Sequence, residues 1–278
     1  MKHRTPAITP HHSSYGDPML ETAIQAARCA GEEIVRRYPL DRDITAKGFR
    51  DLVTDADMAA QQVIVERLQR RFPEHDIVSE EARANHLSGE YTWIIDPLDG
   101  TTNYAHHHPV FAVSVGLLRH GEPFLGVVHN PLSEETFAAR QGAGATVNDQ
   151  PIRVSATATL KNAMVAMDWG HTNEMRQQML GCAGLTLLRC GTLRVIGSAA
   201  LALAYVASGR LDAYFQTGLK PWDVAAGILL VREAGGRCTT RTGMPYRIDR
   251  PDCLATNHRI HDELLPLVGA GKPGGKGP

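Results

Sequence analysis

The sequence predicts a mixed fold, with an α+β N-terminal half and an α/β C-terminal half. Two amphipathic helices and a β-rich stretch broken by turn signals predict the first half. Strands and helices that alternate after about residue 156 predict the second half. We therefore expect a disordered lead-in over 1–18, an N-terminal half over 19–155, a C-terminal half over 156–268 and a flexible tail over 269–278.

The N-terminal half is predicted to begin with two helices. Residues 19–38 repeat apolar side chains at helical spacing, and Pro39 ends this helix. Residues 55–71 repeat the same pattern and form the second helix. The intervening residues, 39–50, are expected to be a loop.

A β-rich stretch follows the two helices. Residues 76–81 and 91–96 each predict a short strand that ends in an acidic residue. Residues 111–152 alternate or run apolar, and His-Gly, Asn-Pro, Gln-Gly and Asn-Asp pairs interrupt them. Because such pairs are hairpin signals, we expect a mainly antiparallel sheet here.

In the C-terminal half, strands are predicted to alternate with helices. The elements, in chain order, are a strand (163–168), a helix (172–181), a strand (185–190), a helix (197–209), a strand (212–216), a helix (221–235) and a strand (253–257). This alternation is typical of an α/β arrangement.

Composition argues against several classes of function. The formal net charge is −1 and the basic residues do not cluster, which argues against nucleic-acid and membrane-surface binding. The five cysteines are widely spaced and form no C-x-x-C motif, so we expect reduced thiols in the cytoplasm. No apolar run approaches the roughly 18 residues of a membrane span, and the N-terminus lacks the apolar core of a signal peptide.

Four acidic residues stand where strands end or helices begin. Glu80 and Asp96 end predicted strands, Asp99 lies in the turn of WIIDPLDGTTN (93–103), and Asp223 lies in the first turn of the helix that begins PWD. Like charges in one pocket repel, so such a cluster needs protons or cations. Oxygen ligands without nearby His or Cys select Mg²⁺, Mn²⁺ or Ca²⁺ over zinc.

The residues after Asp99 complement these acids. Gly100 allows a close backbone approach, and Thr101 and Thr102 can begin a short helix whose free N–H groups bind phosphate. Metal ions beside an anion-binding turn are typical of a phosphoryl-transfer site.

The motifs resemble those of the inositol monophosphatase family of Mg²⁺-dependent, lithium-inhibited phosphatases. The matching segments are WIIDPLDGTTN, SEEA, PWDVAAGILLVREAGG, DLVTDAD and GSAALALAYVASGRLDAYF, and the resemblance covers roughly residues 20–267. It implies a layered α-β-α-β-α sandwich with metals bound between its two halves. It also implies a homodimer.

The resemblance further implies a set of metal ligands. One Mg²⁺ would be held by Glu80, Asp96 and the backbone carbonyl of Leu98. A second would be held by Asp96, Asp99 and Asp223, so that Asp96 bridges the two ions. Glu80 would also reach a third ion through water, which gives two or three ions in all.

Catalytic and substrate-binding roles follow from the same resemblance. Thr101, paired with Asp57, would help to deprotonate the attacking water, and Glu80 would share in activating it. The amides of Gly100 and Thr101 would bind the phosphate. The substrate pocket would be lined by Gly197, Ser198 and Ala199. Lys47 matches a lysine in the family's mobile loop.

One residue departs from the pattern of the animal enzymes. Seven residues before the aspartate of the W-D motif, those enzymes have a glutamate that hydrogen-bonds inositol hydroxyls, whereas this chain has Gln216. An amide lacks the charge that makes a carboxylate the stronger acceptor. The phosphatase chemistry is therefore better supported than the inositol specificity.

The expected function is Mg²⁺-dependent hydrolysis of a phosphate monoester by in-line attack of a metal-activated water, with myo-inositol 1-phosphate as the expected substrate. The same chemistry on fructose 1,6-bisphosphate, phosphoadenosine phosphate or histidinol phosphate is the alternative. A different class of function is also open, since some bacterial relatives are RNA-binding or transcription-associated partners. The near-neutral charge argues against that role.

Overall fold

The structure, a computed structural model, describes residues 17–39, 44–48, 51–81 and 89–269. The predicted lead-in up to residue 16 and the predicted tail from residue 270 lie outside the described residues. Of the helices that the structure describes, none combines the length and the hydropathy that a membrane crossing requires.

The described residues form seven helices and fourteen strands. The helices are α1 (Pro18–Arg37), α2 (Asp55–Arg71), α3 (Thr101–Ala105), α4 (Asn173–Leu187), α5 (Ala199–Ala207), α6 (Pro221–Glu233) and α7 (His261–Gly269). The strands are β1 (Ile44–Gly48), β2 (Asp51–Thr54), β3 (Asp76–Ser79), β4 (Tyr91–Asp99), β5 (Ala112–Arg119), β6 (Glu122–Asn130), β7 (Glu135–Arg140), β8 (Gly144–Val147), β9 (Gln150–Pro151), β10 (Met164–Met167), β11 (Thr192–Val195), β12 (Ala213–Thr217), β13 (Arg237–Thr239) and β14 (Asp252–Thr256).

The described strands form two large sheets and one hairpin. The N-terminal sheet has the order β3-β4-β5-β6-β7-β8-β9, and every neighbouring pair in it is antiparallel except β3 with β4. The C-terminal sheet has the order β11-β10-β12-β14-β13, in which β10 runs parallel to β11 and β12. Strands β1 and β2 form a separate antiparallel hairpin.

The described elements form five layers, which three large hydrophobic clusters and one small one hold together. Helices α1 and α2 pack on one face of the N-terminal sheet, where Ile34 and Ile64 share a cluster with Trp93. Helices α5 and α6 lie between the two sheets and share a cluster with side chains of both. Helices α4 and α7 cover the outer face of the C-terminal sheet. The predicted α-β-α-β-α sandwich is confirmed.

Small residues let the central helix α6 approach its neighbours closely. A Cβ atom on Gly126 of β6 would lie 2.7 Å from the Cα atom of Ala226, and one on Gly227 would lie 2.6 Å from Leu203 Cβ of α5. Real Cβ atoms do not come so near to other carbon atoms, so larger side chains would push α6 away. This packing fixes how close α6 lies to β6 and α5, and the N-terminal end of α6 carries Asp223.

Two local predictions are wrong. Residues 185–190 do not form a strand, because α4 continues to Leu187 and the strand of this region is β11. The alternating leucines that suggested a strand are surface residues, with Leu187 and Leu188 exposed by 59% and 82%. Residues 39–50 are also not simply a loop, since 44–48 pair with 51–54.

The predicted halves coincide with the two large sheets in their sequence ranges. The N-terminal sheet lies within 19–155 and the C-terminal sheet within 156–268. Their division into two separate units stays a prediction. Strand β13 and helix α7 were not predicted.

Candidate active site

A pocket of about 600 Å³ gathers most of the residues that the sequence singled out. Its lining includes Glu80, Asp96, Leu98, Asp99, Gly100, Thr101, Gly197, Ala199, Gln216 and Asp223. Asp57 and Ser198 lie directly behind the lining, where each contacts a lining residue. Lys47 is in β1, but its side chain is outside the described part of the structure.

An irregularity in β4 brings Asp96 and Asp99 to the same pocket. Residues three apart in a regular strand point to opposite faces. Here the pairing with β5 shifts register between Asp96 and Asp99, around Pro97, which has no N–H for the sheet. As a result both aspartates line the pocket while being only 2% and 8% exposed.

Two further elements bring Glu80 and Asp223 to the end of β4. Glu80 follows β3, which runs parallel to β4, and its backbone N–H donates to Ile95 O at 3.2 Å. Asp223 is the third residue of α6 and accepts a hydrogen bond of 2.7 Å from Lys220 N. Carboxylates from three separate elements therefore meet in one pocket.

The environment of these carboxylates opposes their negative charge. Burial, followed by the charges of Glu80, Asp99 and Asp223, raises the pKa of Asp96 well above its ordinary value. Burial also raises the pKa of Asp223 well above the ordinary value. Burial raises the pKa of Asp99 to about 6, although hydrogen bonds from Ser198 and Ala200 oppose the shift. A nearby cation would relieve this repulsion.

The carboxylates are not yet turned toward a common point. Among the described residues, no three His, Cys, Asp or Glu side chains are arranged so that they could hold one ion as they stand. Asp99 instead accepts hydrogen bonds from Ser198 Oγ and, at 2.8 Å, from Ala200 N. The charge, the crowding and the oxygen donors of these four carboxylates nevertheless fit a hard divalent cation such as Mg²⁺.

The structure brings Asp57 and Thr101 together. Thr101 Oγ1 lies 3.1 Å from Asp57 Oδ1 and 2.9 Å from Leu98 O. Asp57 Oδ2 accepts hydrogen bonds from Thr54 N at 2.7 Å and from Thr54 Oγ1 at 2.5 Å, which caps α2. Burial raises the pKa of Asp57 to about 6. Asp57 thus anchors the helix start and contacts the pocket threonine at the same time.

The turn at Gly100 requires glycine. Its φ of +96° lies in the left-handed region, and a Cβ atom there would be 3.0 Å from Val110 O and 3.1 Å from Gly197 O. Asn103 Nδ2 ties the same two segments together, because it donates to Val110 O at 2.8 Å and to Ile196 O at 3.0 Å. The Gly100 and Gly197 turns therefore form one compact wall of the pocket.

Asp168, which was not predicted from the sequence, also lines the pocket. Asp168 Oδ1 accepts hydrogen bonds from Gly197 N at 2.7 Å and Ile196 N at 3.1 Å, and Tyr214 OH lies 3.1 Å from Oδ2. Burial raises the pKa of Asp168 to about 6. Its signal was present in the sequence, since Asp168 follows the apolar strand β10 as Asp96 follows apolar residues of β4.

Comparisons with known proteins identify the family of the chain. The model of the inositol monophosphatase family matches residues 16–270. The inositol-1-monophosphatase of Synechocystis sp. is 42% identical over 255 residues, which cover 90% of this chain and 88% of that protein. The Nus factor SuhB of Escherichia coli is 39% identical over 254 residues, which cover 89% and 94%.

Solved structures show the same fold. The extragenic suppressor protein suhB of Bartonella henselae superposes with a TM-score of 0.87 at 35% identity, over 91% of this chain and 99% of that one. The match over nearly the whole chain confirms the predicted phosphatase class of hydrolase. With its fold, its acidic pocket and its sequence in agreement, the chain belongs to the inositol monophosphatase family.

Proposed function

We propose that the chain hydrolyses a phosphate monoester with Mg²⁺ as cofactor, and that the substrate is a polyol phosphate such as myo-inositol 1-phosphate. The observation that carries this proposal is the meeting of four carboxylates in one pocket beside the Gly100–Thr101 turn. Phosphoryl transfer needs both parts, since the cation neutralises charge on the phosphate and the turn supplies N–H donors.

The proposed metal ligands are the pocket oxygens, with Asp96 shared between two ions. The ligands would be Glu80, Asp96, Leu98 O, Asp99 and Asp223. When bound, Mg²⁺ supplies Lewis acidity that lowers the pKa of water and offsets charge on the leaving group. The chain's part is to hold the carboxylates close despite their repulsion, through the packing of β3, β4 and α6.

The other proposed roles fall to the turn residues. Thr101 would orient the attacking water and pass its proton toward Asp57, with which it already shares a contact of 3.1 Å. The amides of Gly100 and Thr101 would bind the phosphate, and Gly197 and Ala199 would line the alcohol side. Ser198 is 1% exposed and donates to Asp99, so we assign it the orientation of that carboxylate.

Phosphate release from a panel of esters tests the proposal. The panel holds inositol 1-phosphate, fructose 1,6-bisphosphate, phosphoadenosine phosphate, histidinol phosphate and glycerol 2-phosphate, each with Mg²⁺ and with EDTA. We expect a Mg²⁺-dependent preference for inositol 1-phosphate and inhibition by millimolar Li⁺. Preference for another ester would move the substrate assignment, and no Mg²⁺-dependent release from any ester would overturn the proposal.

We also propose that the protein is a homodimer. Strand β11 is an edge of the C-terminal sheet, and the neighbouring helix α4 ends in exposed apolar side chains, Leu187 (59%) and Leu188 (82%). Such a patch is typical of an interaction site. Light scattering should report a dimer that Leu188→Asp dissociates and the control Met58→Asp, on the exposed face of α2, does not. A monomeric wild type would contradict the proposal.

A binding role in transcription is the second candidate, because one relative that is 39% identical is named a Nus factor. A gel-shift assay with RNA separates this role from catalysis. Salt-sensitive binding that survives Asp99→Asn would support it, and no binding would remove it. A cytoplasmic location, in which the five free cysteines stay reduced, is part of either proposal.

A further inference from the structure

A buried chain of three polar side chains lies behind the alcohol side of the pocket. Tyr214 OH is 3.1 Å from Asp168 Oδ2 and also contacts the amide oxygen of Gln216, Oε1. Asp168 and Gln216 both line the pocket, whereas Tyr214 is fully buried between them. The hydrogen bonds therefore link Asp168 to Tyr214 and Tyr214 to Gln216.

The number of available protons decides which group donates and which accepts in each of these hydrogen bonds. A phenol has one O–H proton, and an ionised carboxylate has none to give. If Tyr214 donated to Gln216, the buried Asp168 Oδ2 would face the phenol's lone pairs without a proton between them, which is costly. Donation from Tyr214 to Asp168 removes that repulsion, and a half-turn of the Gln216 amide then lets its NH₂ group donate to Tyr214.

Asp168 cannot easily swing away from this arrangement. Its Oδ1 atom accepts from Gly197 N at 2.7 Å and from Ile196 N at 3.1 Å, and both are backbone donors of the turn before α5. The backbone thus holds Oδ1 of the carboxylate. Among the described residues, Tyr214 is the one hydrogen-bond donor to Oδ2.

We propose that Asp168 and Tyr214 are positioning residues that fix the Gln216 amide with its oxygen toward the pocket, so that the site selects esters whose alcohol carries a free hydroxyl donor. This inference rests on the proposed function and deepens it. Gln216 itself was expected to contact substrate, and the new elements are its orientation and the two residues that set it. Gln216 Oε1 then acts as an acceptor, as a carboxylate oxygen would at that place.

This hydrogen-bonded arrangement predicts that two substitutions, each harmful alone, compensate each other. Gln216→Glu puts a second carboxylate against the one phenol proton, and repulsion between the two carboxylates should displace the introduced side chain, so binding of the hydroxyl should weaken. Asp168→Asn keeps an oxygen for the backbone donors but presents an NH₂ group to Tyr214. Tyr214 then donates to Gln216 Oε1, and the Gln216 NH₂ group turns to the pocket. In the double variant, Tyr214 can donate to the new glutamate, whose other oxygen again faces the pocket.

Kinetics with two esters test this directly. With inositol 1-phosphate, each single variant should raise KM about tenfold, the loss expected from one hydrogen bond, and the double variant should recover most of it. Tyr214→Phe should raise KM similarly. With phenyl phosphate, whose alcohol has no further hydroxyl, the increases should be at least fivefold smaller. Tyr205→Phe, which removes a phenol hydroxyl of α5 outside the pocket, is the matched control.

Equal losses with both esters, or a double variant no better than the worse single variant, would overturn the proposal. If the wild type hydrolyses neither these two esters nor any other ester of the panel, the proposed function is wrong and the specificity inference falls with it. Thermal unfolding at pH 8 then still decides the positioning role. Gln216→Glu should lower Tm by about 4 °C, and adding Asp168→Asn should restore it. Additive Tm shifts would contradict the hydrogen-bonded chain.

Discussion

Asp96 lies inside β4 and Asp168 directly follows β10, and both are nearly buried in the same pocket, yet their surroundings differ. Asp168 accepts two backbone hydrogen bonds and lies within reach of a phenol. Asp96 accepts a hydrogen bond of 3.0 Å from Leu98 N, and the charges of Glu80, Asp99 and Asp223 face it. The first carboxylate is supplied with donors, whereas the second is surrounded by like charge.

The comparison separates two uses of a buried acid. Where N–H and O–H donors surround it, a carboxylate is satisfied by the protein and serves to position other groups. Where carboxylates face one another, the protein leaves a charge that only protons or a cation can balance. One pocket holds both kinds, as the proposed division into a cation-binding side and an alcohol-recognising side requires.

The largest expected difference between the two aspartates is in turnover. Asp96→Asn removes charge from both proposed ions and should lower kcat by about 10³-fold or more. Asp168→Asn should change mainly KM. The exposed control Asp249→Asn should leave both constants near the wild-type values. Steady-state kinetics at saturating Mg²⁺ measure this, and near-normal kcat in Asp96→Asn would show that the bridging assignment is wrong.

A second expected difference is in how the free energy of unfolding depends on pH in the wild type and in Asp168→Asn. Burial raises the pKa of Asp168 from 3.8 to about 6, so its contribution to stability is fully present below pH 3.8 and is lost as the pH rises through about 6. In Asp168→Asn that loss is absent. Relative to the wild type, the variant should therefore gain on the order of 2 kcal/mol between pH 4 and pH 7.

Urea unfolding of the metal-free proteins at several pH values measures this gain. A difference between the wild type and Asp168→Asn that does not change with pH would show that the carboxylate is not strained by burial. The same series on Asp57→Asn is informative, because burial also raises the pKa of Asp57 to about 6.

A further effect is expected where the turn joins the two sides of the pocket. Gly100→Ala introduces a left-handed alanine whose Cβ atom meets Val110 O and Gly197 O, and it should cost about 2 kcal/mol. Gly121→Ala is a matched control, since Gly121 also has a positive φ, of +79°, but no atom lies within 4 Å of its Cβ position. If urea unfolding shows the same loss of stability in both variants, the strain of the left-handed backbone alone accounts for the loss, and the contacts with Val110 O and Gly197 O do not.

Much of the fold and of the acidic side could be predicted from the sequence. The layered sandwich is confirmed, because amphipathic helices and hairpin signals depend on local patterns that survive in the folded chain. The approach of Glu80, Asp96, Asp99 and Asp223 was predicted from their places at strand ends and helix starts. Their individual roles stay predictions.

What the sequence could not show depends on contacts between distant residues. The alternating leucines at 185–188 suggested a strand because exposed and buried apolar residues look alike in a sequence. The place of Asp168 after an apolar strand could be read from the sequence, but its partners could not, because Gly197 and Tyr214 lie 29 and 46 residues away in the chain. The need for glycine at Gly100 was inferred, but the oxygen atoms that impose it belong to other turns.

The most direct test of the central claim is the change in Tm when Mg²⁺ is added to EDTA-treated protein. If the crowded carboxylates form the cation site, the wild type and Asp168→Asn should both gain several degrees, because a ligand that binds the folded state stabilises it. Asp96→Asn should lose most of this gain. An equal gain in Asp96→Asn, or none in the wild type, would contradict the claim that these carboxylates bind the ion.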